Sequence, residues 1–182
     1  MAHRHHCGNL AELGGSGMMT LFHGSYMEVS SPQTAKGRKM VDFGQGFYLT
    51  RLAEQAERWA RALAIRKGPK SQPVVSVFSL DYGKMVEEGY RIKVFPEYNI
   101  EWLDYVVDCR HSGNLQELYD VIEGGVANDN VIDTVEDYEN GRLTAEQALG
   151  QLRYKEVNHQ LCIRNQKIIV KHLHFLKVGS IN

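Results

Sequence analysis

Apolar residues recur at helical spacing in two long stretches of the chain, and this spacing predicts two amphipathic helices. The first runs across roughly 51–66, with charged residues between the apolar ones, Thr50 as its predicted cap and Gly68 just after its end. The second is predicted over 100–109. The residues predicted to form one face of this second helix are Ile100, Leu103, Val106 and Val107. Shorter helices are predicted at 130–140, 144–152 and 166–172.

Short runs rich in β-branched and aromatic residues predict the strands. The predicted strands are 19–23, 47–49, 74–80, 91–95, 118–122, 159–163 and 173–178. Strands and helices follow one another without regular alternation, and no internal repeat is visible. We therefore predict an α+β domain in which short helices are inserted between strands.

The 182 residues are enough for one domain with a sizeable core and too few for two. The first 17 residues, MAHRHHCGNLAELGGSG, resemble a purification leader followed by a flexible linker. The alternative is a metal-binding tract formed by His3, His5, His6 and Cys7. We expect residues 1–17 to be a disordered leader and residues 18–182 to form a single domain.

Composition and charge narrow the class of protein. Apolar residues make up 43% of the chain and charged residues 24%, which is ordinary for a globular domain. A formal net charge of −1 argues against an extended basic surface for duplex nucleic acid. No apolar run reaches the roughly 18 residues of a membrane-spanning helix, and no secretory leader is visible. We therefore expect no membrane partner. Three irregularly spaced cysteines suggest reduced thiols and a cytoplasmic location, or a protein secreted without a disulfide framework, such as one delivered into a target cell as an effector.

His23 lies in the stretch LFHGS, residues 21–25, where a buried strand meets a turn. An imidazole at such a position either fills space at the strand end or is directed at a ligand. The stretch itself does not decide between these alternatives.

A second stretch, DFGQGFYLT at residues 42–50, supplies a possible partner for His23. Gly44 and Gly46 leave main chain uncovered by side chains, so a flat ligand could approach it closely. Tyr48, on the strand that follows, offers an aromatic face on which such a ligand could stack. The alternative is that the two glycines form a turn and that the aromatic residues of the following strand belong to the core. An isolated G-x-G is weak evidence of phosphate binding.

Together the two stretches resemble the active-site core of the ADP-ribosyltransferases, in the branch that contains the poly(ADP-ribose) polymerases and diphtheria toxin. The first motif of that branch reads H-G-[ST] and stands here as His23-Gly24-Ser25. The second reads close to F-G-x-G-x-Y, followed by a helix, and stands here at 43–48. The chain is also similar to a family of small bacterial ADP-ribosyltransferase-like proteins in LFHGS, in DFGQGFYLT, in DVIEGGVAND at 120–129 and in the late segment HQLCIR.

The resemblance implies a split β-sheet core, NAD as the substrate, and a role for each matched residue. His23 would bind the adenosine ribose, and the main chain of Gly24 would pair with the nicotinamide amide. Ser25 would add a hydroxyl to that amide, and Tyr48 would stack on the nicotinamide ring. On this interpretation His23 is directed at a ligand and is not merely packed.

The third position of the family motif is usually a glutamate on a late strand, and here it is Gln160. Strand alternation in EVNHQLCIR directs Asn158, Gln160 and Cys162 to one face and His159, Leu161 and Ile163 to the other. We expect the first face to line the cleft and the second to enter the core. A glutamine can accept a hydrogen bond from a ribose hydroxyl but cannot offset the positive charge of an oxocarbenium-like transition state.

Three interpretations of Gln160 therefore stay open. The chain could be a slower mono-transferase, it could use another acid such as Asp129 or Glu156, or it could bind NAD without turnover. We expect a mono-ADP-ribosyltransferase that releases nicotinamide, with an NAD glycohydrolase resembling a toxin or a silent NAD or ADP-ribose-binding module as alternatives. The expected catalytic residues are His23, Tyr48 and Gln160.

The expected ligand-binding residues extend this set to two loops. They are His23, Gly24, Ser25, Gly44, Gly46, Phe47, Tyr48, Asn128, Asp129 and Asn158. Asn128 and Asp129 follow a double glycine and could equally be turn formers. No metal is expected, because His172 and His174 have no third ligand in view. The acceptor of ADP-ribose, whether protein, nucleic acid or small molecule, and any neutralising partner protein are not indicated by the sequence.

Overall fold

The fold is described by a computed structural model that covers residues 17–128, 131–153, 158–179 and 181. The strands of this part of the chain are β1 (Met18–Ser25), β2 (Phe47–Leu49), β3 (Val74–Asp81), β4 (Ile92–Val94), β5 (Val121–Gly124), β6 (Gln160–Ile163) and β7 (Leu173–Gly179). The helices are α1 (Ala53–Lys67), α2 (Tyr82–Glu87), α3 (Ile100–Arg110), α4 (Ile132–Glu139), α5 (Ala145–Leu152) and α6 (Gln166–His172).

The strands form two sheets. The first is antiparallel, with the order β1-β3-β7, and the second has the order β2-β6-β5-β4. In the second sheet β4 and β5 run parallel, and the other neighbours run antiparallel. An isolated bridge between Phe22 and Thr50 joins β1 of the first sheet to β2 of the second. This arrangement, two sheets with helices inserted between the strands, confirms the predicted α+β class.

Two hydrophobic clusters cover the two faces of the second sheet. The cluster that we call the intersheet core contains Leu21 of β1, Leu161 of β6 and side chains of α6. The cluster that we call the helical core lies against α3, α4 and α5 and contains Trp102 and Cys162. β6 is therefore buried on both faces, and burial at this level is worth roughly 1.5–3 kcal/mol for each large apolar side chain.

Helix α1 packs on β1 and β3 through its small residues. Ala56 and Ala60 are fully buried against Val75, with Phe22 beside them. Small side chains at these positions let the helix axis come close to the strands. Gly68 follows the last residue of the helix with a φ of 123°, as predicted for the glycine that ends it.

Several sequence predictions are wrong in detail. Thr50 does not cap α1: its hydroxyl accepts a hydrogen bond from the N–H of Leu52, and the helix begins at Ala53. The strand predicted at 118–122 begins only at Val121, after a 3₁₀ turn. Ile100 is exposed, whereas Trp102 and Tyr105 are the large buried aromatics of α3.

Helix α2 was not predicted, because its six residues follow a strand directly. The side chain of Asp81, the last residue of β3, accepts a hydrogen bond from the N–H of Lys84 and caps the helix. The predicted leader, residues 1–17, lies outside the described residues except for Gly17. No helix among the residues that the structure describes is long and apolar enough to cross a membrane.

Candidate functional site

The site is built where β1 and β2 separate. The N–H of Phe22 donates to the carbonyl oxygen of Thr50 at 2.8 Å, and the N–H of Thr50 donates to the carbonyl oxygen of Phe22 at 2.9 Å. In an antiparallel ladder the next such pair would join Gly24 to Tyr48. Within the described residues no main-chain hydrogen bond joins them. We call the region formed by Phe22, His23, Gly24, Tyr48 and Thr50 the β1–β2 junction.

The side chain of His23 takes the place of the missing ladder bond. Its Nδ1 lies 2.7 Å from the carbonyl oxygen of Tyr48. Since a carbonyl oxygen only accepts hydrogen bonds, Nδ1 carries the proton and Nε2 is the acceptor of the neutral ring. The ring also lies against Phe47, with centroids 4.4 Å apart. Burial lowers the pKa of His23 below its usual value, with the Tyr48 hydrogen bond acting in the opposite direction, so the neutral ring is favoured.

Gly24 is packed closely against α1, and its main-chain polar groups point towards β2. A Cβ atom on this residue would lie 2.0 Å from the carbonyl oxygen of Ala56, so the approach of α1 admits only glycine. Because peptide groups alternate in direction along a strand, the N–H and C=O of Gly24 point to the same edge as those of Phe22, towards β2. The junction therefore offers one donor and one acceptor side by side on the same residue.

Ser25 lies at the end of β1, two residues beyond His23, and is buried with 8% of its surface exposed. Strand alternation places its side chain on the same face of β1 as the imidazole. The predicted HGS motif is thus brought together at one strand end.

Tyr48 meets His23 through its main chain. Its hydroxyl accepts a hydrogen bond from the N–H of Phe43 at 3.1 Å and donates one to the carbonyl oxygen of Gly44 at 2.7 Å. The ring packs against the helical core, whereas Phe47 belongs to the intersheet core. Burial raises the pKa of Tyr48 well above its usual value, so the phenol stays protonated. The rings of His23 and Tyr48 thus lie on different faces of β2.

The glycines of the second motif are packed against protein atoms. A Cβ atom on Gly44, whose φ is 74°, would lie 2.3 Å from Gln116 and 2.5 Å from Arg164. One on Gly46 would lie 2.5 Å from the sulfur of Cys162. The sequence interpretation left this main chain open to a ligand, whereas in the structure neighbouring side chains fill the space beside both glycines.

Gln160 lies at the start of β6 with 3% of its surface exposed. Its Nε2 donates to Oδ2 of Asp42 and to the carbonyl oxygen of Gly125, both at 3.0 Å. Cys162, on the same face of β6, is fully buried, so the prediction that this face lines the cleft is wrong for Cys162. Burial raises the pKa of Cys162 to about 12, which fits the predicted role of a small buried filler. Asn158 is half-buried just before the strand.

Asp42 is the residue that sequence reasoning missed. Its Oδ1 accepts hydrogen bonds from Nε and Nη2 of Arg110, at 3.1 and 2.7 Å. Its Oδ2 accepts a hydrogen bond from the N–H of Ala127 at 2.8 Å, in addition to that from Gln160. We call Asp42, Arg110, Gly125, Ala127 and Gln160 the Asp42 network. The only sequence signal for it was the acidic residue that opens DFGQGFYLT.

A second ionic cluster, also missed, lies beside the start of β6. Glu123 accepts from Arg51 at 2.7 Å and from Nε2 of His159 at 2.8 Å. The N–H of Arg51 donates to Nδ1 of His159 at 3.0 Å, which fixes the proton of the neutral imidazole on Nε2. His159 was predicted to enter the apolar core and is instead half-buried in this cluster.

The remaining predicted residues have structural surroundings or lie outside the described residues. The carbonyl oxygen of Asn128 accepts hydrogen bonds from the N–H groups of Val131 and Ile132, at the start of α4. Asp129 and Glu156, the alternative acids, lie outside the described residues. Among the residues that the structure describes, no cluster of three or more histidine, cysteine or acidic side chains could hold a metal.

Two surface cavities lie away from the β1–β2 junction. One, of about 360 Å³, is lined by Arg91, Asp120 and Arg164, and the other, of about 540 Å³, is lined by α1 and the residues that follow it up to Pro73. Arg164 bonds to Gln116 and Glu117, so its guanidinium is held by protein groups.

Comparisons with known proteins add one family. No curated protein and no solved structure matches the chain. A family model described as "Protein of unknown function (DUF3990)" matches residues 19–175, from the second residue of β1 into β7. Since the match spans both motifs, the β1–β2 junction and the Asp42 network, the chain belongs to the DUF3990 family.

Proposed function

We propose that the chain is an NAD-dependent mono-ADP-ribosyltransferase, which transfers ADP-ribose from NAD to an acceptor and releases nicotinamide. The proposal combines the resemblance of the HGS and FGQGFY motifs to the ADP-ribosyltransferases with the geometry of the β1–β2 junction. The observation on which it depends is that the main-chain N–H and C=O of Gly24 point to the edge of β1 where the pairing with β2 has ended.

The N–H and C=O of Gly24 are complementary to a primary carboxamide. A carboxamide offers one carbonyl acceptor and one N–H₂ donor on the same side, which matches an adjacent main-chain donor and acceptor. Buried main-chain groups without partners are costly, so a ligand that pairs with both is stabilised. Nicotinamide carries such a group, and Ser25 lies next along the strand to add its hydroxyl.

His23 suits the sugar part of the same ligand. With Nδ1 donated to Tyr48, the neutral ring has Nε2 as an acceptor, and a ribose hydroxyl is the matching donor. Burial lowers the pKa of His23 and keeps this acceptor available at neutral pH. The imidazole in this proposal binds substrate and moves no proton.

The proposed reaction breaks one bond and forms one. The bond between the anomeric carbon of the nicotinamide ribose and the pyridinium nitrogen breaks, and its electron pair stays on the nitrogen, so nicotinamide leaves as a neutral molecule. An oxygen or nitrogen atom of the acceptor supplies the electron pair of the new bond to that carbon and loses its proton to solvent. Gln160 would accept a hydrogen bond from the hydroxyl of this ribose.

A second candidate, an NAD-binding module without turnover, is favoured by one observation. Gln160 carries no charge, and both oxygens of the nearby Asp42 carboxylate are already bonded to protein donors. Electrostatic stabilisation of a cationic transition state typically contributes about 3–4 kcal/mol for a single well-placed group, so its absence would slow turnover strongly.

The deciding experiment uses NAD labelled in its adenosine part, incubated with the protein and a cell lysate. Label on macromolecules together with free nicotinamide supports the transferase. Free labelled ADP-ribose with nicotinamide supports a hydrolase, and binding without nicotinamide release supports the silent module. His23→Ala should abolish binding and turnover, whereas the control His174→Ala, at an exposed position on β7, should leave both unchanged.

The carboxamide contact is tested with the dinucleotide in which nicotinic acid replaces nicotinamide. Its carboxylate would face the C=O of Gly24 and lack the N–H donor. We expect its affinity to be lower by about 10- to 100-fold, in line with roughly 1.5–3 kcal/mol for one unmade hydrogen bond to a charged group. Equal affinity for the two dinucleotides would contradict the pairing with Gly24.

A further inference from the structure

We infer that Asp42 is a positioning residue, which fixes the amide of Gln160 so that residue 160 presents an oxygen acceptor and excludes a carboxylate at this position. The inference rests on the proposed function for the identity of the ligand. The contact between the two side chains is independent of it.

The orientation of the Gln160 amide follows from its two neighbours. Oδ2 of Asp42 and the carbonyl oxygen of Gly125 both lie 3.0 Å from the same atom of the amide. Both neighbours accept hydrogen bonds and neither can donate one, so the atom between them must be Nε2. The opposite rotamer would place three oxygen atoms together. Oε1 is therefore the atom left for a ligand, and among the described residues it accepts no hydrogen bond.

The rest of the Asp42 network holds the carboxylate in place from the side away from Gln160. Arg110 binds Oδ1 through two nitrogens, and the N–H of Ala127 binds Oδ2. The indole nitrogen of Trp102 donates to the carbonyl oxygen of Gly125 at 3.2 Å, which fixes the second acceptor as well. Each acceptor that faces Gln160 is thus held from behind by another buried contact.

The same surroundings explain why glutamine stands where the resembling enzymes usually have glutamate. A glutamate at position 160 would place a second carboxylate about 3 Å from that of Asp42, a separation at which two carboxylates do not both ionise. The amide is the side chain of the same shape that can donate to both neighbours. Asp42 therefore determines how residue 160 recognises its ligand. The side chain at position 160 is uncharged and accepts a hydrogen bond from a hydroxyl group of the ligand.

The ligand class follows from this acceptor. A neutral oxygen that cannot donate selects a hydroxyl or an N–H group, and the ribose hydroxyl of NAD is such a donor. If Asp42 were replaced by asparagine, with its oxygen towards Arg110, its N–H₂ would face Gln160. The Gln160 amide would then not match both neighbours in either orientation: as it stands, its Nε2 would meet a donor at position 42, and if it rotated, its Oε1 would meet the carbonyl oxygen of Gly125. Its Oε1 would therefore no longer be fixed towards the ligand.

The test is a cycle of three variants, Asp42→Asn, Gln160→Glu and the double variant, with Asp137→Asn as the control at an exposed ion pair. Affinity for NAD is measured by calorimetry and stability by denaturant unfolding. Each single variant should weaken NAD binding about tenfold or more, because residue 160 is then displaced or no longer held with an oxygen towards the ligand. In the double variant the introduced amide at position 42 donates to the introduced carboxylate at position 160, so an oxygen again faces the ligand, although this carboxylate also lies against the carbonyl oxygen of Gly125. Affinity should then recover in part, and the combined loss should be smaller than the sum of the two single losses.

A purely structural role for Asp42 gives a different pattern, in which Asp42→Asn lowers the free energy of unfolding while the folded variant binds NAD as the wild type does. Additive losses in NAD affinity would overturn the inference. If the wild-type protein does not bind NAD, the proposed function fails, and the unfolding cycle then decides the inference by itself. Stability that is partly restored in the double variant supports the pairing, and additive destabilisation refutes it. Full restoration is not expected, because the N–H of Ala127 loses its acceptor and the carboxylate at position 160 lies against the carbonyl oxygen of Gly125.

Discussion

The β1–β2 junction and the Asp42 network differ in how far the protein satisfies its own polar groups. At the junction the ladder stops after the Phe22–Thr50 pair, and the N–H and C=O of Gly24 face the gap. In the Asp42 network four hydrogen bonds converge on one carboxylate. Buried polar groups in folded proteins are nearly always paired, so the first arrangement is an exception among the described residues, and the proposed ligand contact depends on it. In the second arrangement, protein donors bind both oxygens of the Asp42 carboxylate, and this carboxylate orients the amide of Gln160.

The largest effect is expected where the junction meets α1. Gly24→Ala would place a Cβ atom 2.0 Å from the carbonyl oxygen of Ala56. Because the carbonyl oxygen belongs to the helix main chain and the Cβ position is fixed by the strand main chain, the strand and the helix must move apart, and we expect the free energy of unfolding to fall by about 3 kcal/mol. Denaturant unfolding measures this loss.

Gly150→Ala is the matched control for that variant. Gly150 lies in α5, and a Cβ atom there would meet nothing within 4 Å. Alanine is the better helix former, so this change should raise stability by up to about 1 kcal/mol. Similar effects of the two substitutions would show that the close approach of α1 is not what requires glycine at position 24.

The Asp42 network gives the next largest effect. Arg110→Met removes the cation that binds Oδ1 and leaves a carboxylate with 8% of its side chain exposed to be held by Gln160 and Ala127 alone. Because Arg110 is partly exposed, we expect a loss of about 2 kcal/mol, below the 3–5 kcal/mol typical of fully buried pairs. The control Arg142→Met breaks an exposed ion pair with Asp137, and its free energy of unfolding should differ from that of the wild type by less than about 1 kcal/mol. Equal losses in the two variants would mean that the network is no more coupled than a surface ion pair.

The sequence predicted the fold better than it predicted the polar contacts. Most of the strands and longer helices follow from the spacing of apolar residues, which depends on local geometry alone. Helix α2 was not predicted, because six residues directly after a strand are too few to show a helical periodicity. Ile100 was placed on a buried face because its side chain is apolar, yet the aromatic residues of α3 fill that core and leave it exposed.

The candidate site was predicted in part. The two motifs were expected to meet, and β1 and β2 do lie side by side at Phe22 and Thr50. Strand alternation could not reveal that His23 bonds to the main chain of Tyr48, because this depends on the residue at which the two strands separate. The role of Asp42 was not predicted for a different reason. Its partner Arg110 lies 68 residues later in the chain, and no local spacing connects the two residues.

A smaller effect is expected for the hydroxyl of Tyr48, whose main chain bonds to His23 and whose ring packs against the helical core. Tyr48→Phe removes the acceptor for the N–H of Phe43 and the donor to the carbonyl oxygen of Gly44. We expect a loss of about 1.5 kcal/mol, since two main-chain groups lose a partner in a largely buried position. The control Tyr26→Phe, at an exposed position, should change stability by less than about 0.5 kcal/mol. A loss no larger than that of the control would indicate that the phenol does not order the loop before β2.

The smallest effect, the pH dependence of stability, tests the neutral state of His23. Its pKa in the folded protein lies below the ordinary 6.5 because the ring is buried. As pH falls through 6.5 the unfolded chain takes up a proton that the folded ring does not, so stability decreases in that window and is fully present above it. The difference between wild type and His23→Asn should therefore shrink by about 1 kcal/mol at most over the first pH unit below 6.5. The two proteins differ only at residue 23, so the other titrating groups cancel in this comparison. If His23→Asn shows the wild-type slope as well, the ring is not held neutral at the junction, and its Nε2 would not be the acceptor that the proposed ribose contact requires.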